Sequence, residues 1–301
     1  QRTLHPQRIP QTHRKMINLI HNINPIILDL PGPLAIRWYG LSYLLAFVCG
    51  IVLLRRWSRR GEFELPQEEV GNFVVLLGFF GVFVGGRLGY MLFYDLSAFL
   101  KNPLLFFRVW DGGMASHGGF IGVALFIIWY ALKHKHSMWN LGDNLACVTS
   151  LGIGFGRLAN FVNGELWGRV SDVKWAMYFP EELGLKYGEY TQEQIQYYIE
   201  RRMLLPRHPS QLYQAFAEGF LVFGIMLLLR RTAVGKRPGA LSACYLVLYA
   251  LARIAMECFR EPDNGDFFFG AISKGQFYSV LMFIGAGLIL WKSNALRPKT
   301  D

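Results

Sequence analysis

Four polar residues follow one another closely at the end of an apolar, glycine-rich stretch of the chain. Arg157, Asn160 and Asn163 are spaced three apart, and Glu165 comes two positions later. On a helix this spacing places the first three on one side. A guanidinium has five fixed N–H donors and binds phosphate bidentately, and the amides add hydrogen bonds without charge. The pattern therefore suits a phospholipid headgroup, and the alternative is a buried arginine that only pairs helices together.

The composition indicates that these residues lie in a membrane. Of 301 residues, 52% are hydrophobic and 17% are charged, which is too apolar for an ordinary soluble enzyme of this length. Most of the seven apolar runs are long enough to cross about 30 Å of hydrocarbon as helices. We therefore predict an all-α polytopic membrane protein with about seven transmembrane helices. The runs are residues 34–54, 70–94, 118–132, 143–162, 212–230, 239–259 and 276–292. A charge at that depth costs several kcal/mol unless it is paired or used, so the buried arginine is a functional candidate.

Lysine and arginine in the short loops predict the orientation of the chain. The loops after the first, third and fifth runs and the tail are basic, whereas the loops at 95–116 and 260–275 carry few such residues. The amino terminus is therefore expected outside and the carboxyl terminus inside. The basic residues are Arg55, Arg56, Arg59, Arg60, Lys133, Lys135, Arg230, Arg231, Lys236, Arg237, Lys292, Arg297 and Lys299. The net charge of +10 then reflects topology and anionic lipid, and it requires no nucleic acid.

Residues 1–15 do not fit this orientation, because it would place their four basic residues on the outside. Since Met16 follows them directly, we interpret 1–15 as an upstream or non-native extension and 16–301 as a single membrane-embedded domain.

The segment at about 164–209 is polar and is expected to form a small external head. Within it, residues 191–203 predict a helix that carries Ile195, Tyr198 and Ile199 on one face. The head either covers the mouth of a site or has structural duties alone.

Other residues in or beside the apolar runs have both a structural and a functional interpretation. Arg253 and Glu257 are four apart and can form an internal salt bridge, and Arg87 is a similar buried arginine. His117 precedes Gly118-Gly119 at a predicted helix start, where free backbone N–H groups attract an anion and keep the imidazole neutral.

Three further features also leave two interpretations open. Tyr39 lies where aromatic residues anchor a helix to the membrane interface, and His208 can simply start the fifth run. Gly152, Gly154 and Gly156 allow either close helix packing or an opening for lipid beside Arg157.

Six stretches of the chain together resemble the prolipoprotein diacylglyceryl transferase family. Residues 156–168 match its signature Gly-Arg-x-[Gly/Ala]-Asn-Phe-x-Asn-x-Glu-x-x-Gly, with Ala159 in the Gly/Ala position. The other five are Arg37–Gly40, Gly85–Tyr90, Val109–Gly119, Pro206–Tyr213 and Arg253–Pro262. They run in the family's order from about residue 34 to the end of the chain.

The resemblance implies an enzyme that moves the diacylglyceryl group of phosphatidylglycerol onto the thiol of a prolipoprotein lipobox cysteine. This reaction is the first step of bacterial lipoprotein maturation, and it releases glycerol phosphate and leaves a thioether. Its partners would be phosphatidylglycerol, membrane lipid and prolipoprotein signal peptides with a lipobox cysteine. Its location would be the bacterial cytoplasmic (inner) membrane, with a periplasmic amino terminus, a cytoplasmic carboxyl terminus and a site toward the periplasm.

The resemblance also assigns roles to individual residues. The expected catalytic residues are His117, Arg157, Arg253, Tyr39, Asn160 and Glu165. The expected phosphatidylglycerol-binding residues are Arg157, Arg253, Asn163, Glu257, Gly168, Arg87 and His208.

One position departs from the family pattern. After Gln211-Leu212-Tyr213 many relatives carry glutamate, whereas this chain has Gln214. The proton acceptor is therefore expected at His117 or Glu165. No metal cluster or nucleotide-binding loop is visible in the sequence, so we expect no metal and no cofactor.

Two rival functions remain at this point. A transporter for an anionic solute would explain buried arginines and glycine-rich helices, but it predicts symmetry between the halves of the chain, and none is visible. A lipid-binding scaffold without chemistry is the other.

Overall fold

The computed structural model describes residues 19–31, 35–109, 112–261, 267–268 and 272–293, and its architecture is helical. The helices are α1 (Trp38–Arg59), α2 (Gln67–Phe93), α3 (Leu96–Lys101), α4 (Ser116–His134), α5 (Met138–Val162), α6 (Gln192–Glu200), α7 (Ser210–Arg230), α8 (Ala240–Glu257) and α9 (Lys274–Lys292). Short 3₁₀ turns cover Pro103–Phe107, Pro180–Leu183 and Val234–Lys236. The strands are β1 (Leu19–Ile20), β2 (Ile26–Asp29), β3 (Ala35–Arg37), β4 (Met177–Tyr178), β5 (Phe267–Phe268) and β6 (Ile272–Ser273).

The long helices confirm an all-α polytopic membrane protein. Within the described ranges five helices, α1, α2, α5, α7 and α8, are long and apolar enough to cross a membrane. Each of the seven predicted runs falls on a helix, but α4 lies outside this group and the apolar part of α9 is shorter. The predicted number of seven spans is therefore not confirmed.

Some sequence predictions lie outside the described residues. They concern the extension 1–15 and Met16, the motif residues Trp110, Asp111 and Pro262, and the tail residues Arg297 and Lys299.

The helices pack around one apolar core and expose apolar side chains on their outer faces. Leu54, Phe73, Leu141 and Met226 are at most 1% exposed and come from four different helices. Outward-facing residues such as Leu132 remain largely exposed, as expected for side chains that face lipid.

Two glycine contacts bring helix backbones unusually close together. A Cβ atom on Gly89 of α2 would overlap Gly118 of α4, and a Cβ on Gly219 of α7 would overlap the Cα of Gly154 of α5. Gly154 is thus a packing residue, and α5 continues as a helix to Val162 without unwinding. By contrast, Gly156 has open space around it.

Two of the membrane-spanning helices contain a π-helical segment. In α2 the segment is Leu77–Val84, and in α7 it is Ala215–Leu221. A π segment widens the helix locally and is frequent at functional sites. Nothing in the hydrophobic pattern of the sequence predicts either segment.

The chain between α5 and α7, residues 163–209, forms the segment that we call the head. Thr191 caps the start of its helix α6 through a reciprocal capping box with Gln194, and Ile195 of this helix is buried. The predicted helix over 191–203 is therefore confirmed, although it ends earlier, at Glu200. Strand β4 of the head pairs in parallel with β1, which precedes the first membrane helix. We call the end of the bundle that carries the head the head end.

Candidate functional site

Four charged side chains from three helices meet inside the bundle near the head end. Glu218 of α7 accepts hydrogen bonds at Oε2 from Nε and Nη2 of Arg157, at 3.3 and 3.2 Å. Its Oε1 accepts from Nη1 of Arg253 at 3.4 Å. Nη2 of Arg253 pairs in turn with Glu257 Oε2 at 3.3 Å. We call Arg157, Glu218, Arg253 and Glu257 the charged quartet.

The predicted pairing of Arg253 with Glu257 is confirmed, and the quartet extends it to α5 and α7. Formal charges within the quartet balance, because two guanidiniums face two carboxylates. The Glu218 side chain is 0% exposed, whereas the Arg157 side chain is 17% exposed. The guanidinium of Arg157 therefore faces the accessible side of the cluster.

A second group surrounds Glu165, just beyond the carboxyl end of α5. Asn160 and Asn163 both donate their Nδ2 protons to Glu165 Oε1, at 3.0 and 3.2 Å. Gln211 of α7 donates to the Glu165 backbone carbonyl at 2.8 Å. The predicted strip of Arg157, Asn160 and Asn163 thus divides, because the arginine turns to the quartet and the two amides turn to Glu165.

Tyr39 stands at the start of α1 beside this second group. Its hydroxyl is 3.4 Å from the hydroxyl of Tyr43 and also interacts with Asn160 and Glu165. The structure therefore joins α1, α5 and the head through polar contacts at one place.

His117 lies in the first turn of α4, as the sequence predicted. Its ring packs against Tyr278 of α9, with 4.0 Å between ring centroids. The predicted role of this histidine in proton transfer stays a prediction.

Gly168 is held where the head crosses the end of α8. Its amide donates to the His208 carbonyl at 2.9 Å, and a Cβ atom there would overlap the Phe259 carbonyl. Arg207 donates to the Gly168 carbonyl at 3.2 Å, binds Glu261 at 3.1 Å and is paired with Glu182. Burial acts to lower the pKa of Arg207, and its two carboxylate partners outweigh that effect and raise the pKa above its ordinary value.

His208 ends a short chain of hydrogen bonds. Trp175 Nε1 donates to the Tyr213 hydroxyl at 2.6 Å, and that hydroxyl lies 3.2 Å from His208 Nδ1. Burial lowers the pKa of His208 below its ordinary value, although Asp172 nearby acts in the opposite direction. A neutral ring accepts the tyrosine proton at Nδ1 and keeps its own proton at Nε2.

Arg87 is separate from the quartet. It is 3% exposed and donates to five backbone carbonyl groups of residues 105–113. The guanidinium thereby organises this loop from within, and its predicted contact with lipid stays a prediction.

Sequence reasoning missed Glu218, the central residue of the quartet. The available signal was a carboxylate inside the apolar run 212–230, where an ionisable group is a functional candidate by default. Gln214 lies one turn earlier and is fully buried, and neither atom of its amide has a hydrogen-bond partner among the described residues. Gln211 was noted only as part of a motif, and it proves to hold Glu165.

The fold and the site define a class of protein, a multi-pass membrane protein with a balanced cluster of charges buried among its helices near one end. The chain belongs to the prolipoprotein diacylglyceryl transferase family, whose model matches residues 25–292. Members of this family are transferases.

Relatives of this chain carry the name phosphatidylglycerol–prolipoprotein diacylglyceryl transferase. The protein of Sodalis glossinidius is 45% identical over 89% of this chain and 91% of its own length. That of Yersinia enterocolitica is 44% identical over 91% and 94%, and that of Photobacterium profundum is 43% identical over 92% and 96%.

Proposed function

We propose that this protein transfers the diacylglyceryl group of phosphatidylglycerol to the thiol of a prolipoprotein lipobox cysteine. The relatives' names support both substrates, and the observation that carries the proposal is the pair Arg157 and Arg253 joined inside the bundle by Glu218. Two guanidiniums at one place suit a phosphodiester, because each can bind phosphate oxygens bidentately.

The reaction exchanges one bond at the diacylglyceryl carbon and transfers one proton. The cysteine sulfur attacks the diacylglyceryl carbon that carries the phosphate, a C–S bond forms, and the C–O bond to phosphate breaks. Glycerol phosphate leaves with the electron pair of that bond, and the thiol proton passes to a base. Since a cysteine of pKa about 8.5 is mostly protonated at neutral pH, forming the thiolate costs about 2 kcal/mol, which one nearby base can supply.

The residues take complementary roles in this scheme. Arg157 and Arg253 bind the phosphate and stabilise the charge that gathers on it as it leaves. Tyr39, Asn160, Asn163, Glu165 and Glu257 orient the substrates, and Gly168 and His208 shape the edge of the site. His117 or Glu165 accepts the proton.

We further propose a bacterial inner membrane location with a periplasmic head. In support, the basic ends of α1 and α7 lie together away from the head, where Arg230 binds Glu62 at 2.9 Å. Single cysteines at exposed Tyr197 of the head and at Arg231 test this, each introduced after the four native free cysteines have been replaced by serine. A membrane-impermeant thiol reagent should label intact spheroplasts at 197 and not at 231, and the reverse pattern would contradict the orientation.

The function is tested by direct reconstitution. The purified chain is supplied with phosphatidylglycerol and a synthetic lipobox peptide, and peptide mass and released glycerol phosphate are recorded. The expected result is a peptide heavier by one diacylglyceryl group together with an equal amount of glycerol phosphate. A folded protein that binds the lipid and leaves the peptide unchanged would indicate a lipid-binding scaffold or a transporter instead.

A further inference from the structure

The Glu218 carboxylate forms an ion pair with each of the two arginines of the quartet. Oε2 receives Arg157 from α5, and Oε1 receives Arg253 from α8. Each carboxylate oxygen binds an arginine from a different helix. The distance between the two oxygens therefore sets how far apart the two guanidiniums lie.

The backbone around Glu218 is shaped to allow this contact. The residue sits in the middle of the π segment Ala215–Leu221, and its neighbour Gly219 lies against Gly154 of α5. Since Arg157 is three residues beyond Gly154, the close approach of α5 and α7 brings the guanidinium within reach of Glu218. A side chain on Gly219 would overlap the backbone of Gly154 and push the two helices apart.

The side chains of the charged quartet differ in how far they are exposed. The Glu218 side chain is 0% exposed, while those of Arg157 and Arg253 are 17% and 11% exposed. The carboxylate thus lies behind the guanidiniums, and a ligand that enters the bundle meets the arginines first. A guanidinium has five donors, so binding Glu218 leaves others for that ligand.

We propose that Glu218 is a positioning residue, which holds Arg157 and Arg253 side by side to receive one phosphodiester headgroup and balances part of their charge. This inference rests on the transferase function proposed above. Glu218 does not touch the reacting atoms, and it acts through the two arginines.

The charge balance makes the expected effect specific. With Glu218 ionised the quartet is neutral, and Glu218→Gln leaves one uncompensated positive charge in a buried place. An anionic headgroup should then bind at least as tightly as in the wild type, so KM for phosphatidylglycerol should fall or stay the same. The two guanidiniums also lose the carboxylate that fixes their positions. Since a displacement of about 1 Å at an active site can lower the rate 10²-fold, kcat should fall about 10- to 100-fold.

The experiment measures kcat and KM for phosphatidylglycerol with a lipobox peptide in wild type, Glu218→Gln and Glu218→Asp. Thermal midpoints and the folded fraction are recorded for each variant. The matched control is Glu62→Gln, which removes a carboxylate from the Arg230 pair at the other end of the bundle. We expect a lower kcat without a higher KM in Glu218→Gln, partial recovery in Glu218→Asp, and wild-type constants in the control.

Wild-type kcat and KM in folded Glu218→Gln would overturn the inference, as would a loss that only follows the folded fraction. If Glu218→Gln does not fold, Glu218→Asp decides, because it keeps the charge and shortens the reach. Wild-type constants in that variant would overturn the inference too. A wild-type protein that binds phosphatidylglycerol and transfers nothing would instead refute the proposed function.

Discussion

Two buried groups of charged and polar residues stand at opposite ends of the bundle, and they are built differently. At the end away from the head, Asp143 of α5 is 6% exposed and accepts from the Gly239 amide, the Ser242 amide and the Ser242 hydroxyl, all within 2.8 Å. These groups form the amino-terminal start of α8, where unsatisfied N–H groups and the helix dipole favour an anion. Asp143 therefore caps a neighbouring helix.

The charged quartet near the head shows the contrasting design. Its contacts join one side chain to another at 3.2–3.4 Å, and its arginines have more donors than their carboxylates accept. Burial of a charge is thus not by itself a sign of function. We interpret a buried charge that is fully satisfied at a helix start as structural, and one that keeps unused donors on an accessible side as a candidate to bind a ligand.

Among substitutions that test this difference between the quartet and the Asp143 group, Arg157→Lys should lower activity the most. Lysine keeps the positive charge and loses the planar fork that binds phosphate bidentately. We expect kcat to fall about 10²- to 10³-fold, the scale seen when one charge-stabilising donor is removed from an active site. The assay is transfer to the lipobox peptide. Arg230→Lys, at the other end of the bundle, is the control and should stay active, and near-normal transfer by Arg157→Lys would rule out the bidentate clamp.

Gly168→Ala should have the next largest effect. The new methyl group would overlap the Phe259 carbonyl and lie 2.8 Å from the His208 carbonyl, so the head must shift against the end of α8. A shift of that kind at the edge of the site should lower kcat about 10-fold or more. Gly224→Ala on α7 is the comparison, because its backbone is helical and a Cβ there meets no neighbour. Equal activity in the two variants would show that the close contact at Gly168 has no bearing on catalysis.

Asp143→Ala should separate stability from activity. Its loss leaves the start of α8 without a buried acceptor, which should cost about 1–3 kcal/mol of unfolding free energy. Activity per folded molecule should stay at the wild-type level. Thermal unfolding in detergent and kcat corrected for folded protein measure the two quantities, and a drop in corrected kcat would remove the distinction between the two clusters.

The smallest expected effect is a pH dependence of stability from His208. Since burial lowers its pKa in the folded state, the unfolded chain takes up the proton first as pH falls below about 6.5. Stability from this residue is therefore present above that pH and decreases below it, until pH passes the lower folded-state pKa. The thermal midpoint of wild type should fall more than that of His208→Asn between about pH 7.5 and pH 5.5. An equal change in the thermal midpoint of the two proteins over this pH range would contradict the lowered pKa of His208.

The sequence predicted the helices well because each apolar run is long, and length and hydrophobicity decide membrane insertion. It also predicted the pair of Arg253 and Glu257 through their four-residue spacing, whereas only the family resemblance placed Arg157 with them in one proposed site. Glu218 was missed, since a lone carboxylate in an apolar run does not reveal which helix it faces. The partner arginines come from helices distant in the chain, and only the packed structure identifies them.

Two other features could not be predicted for physical reasons. The π segment around Glu218 depends on a local change in backbone hydrogen bonds that leaves the apolar pattern intact. Arg87 looked like the other buried arginines, yet it binds main-chain carbonyls, and no residue pattern distinguishes an arginine that meets carbonyls from one that meets carboxylates.

Strand β1 has a consequence for how the protein is made. Its partner β4 is synthesised only after α1 to α5, because Leu19 pairs with Met177. At a synthesis rate of about 5–20 residues per second, roughly 8–30 seconds pass between the synthesis of β1 and that of β4. His21, which is 1% exposed and 2.9 Å from Glu181 Oε1, enters its buried place at the same moment. Completion of the head is thus a late event in biogenesis, and a chain interrupted before β4 would insert several helices and still lack its head.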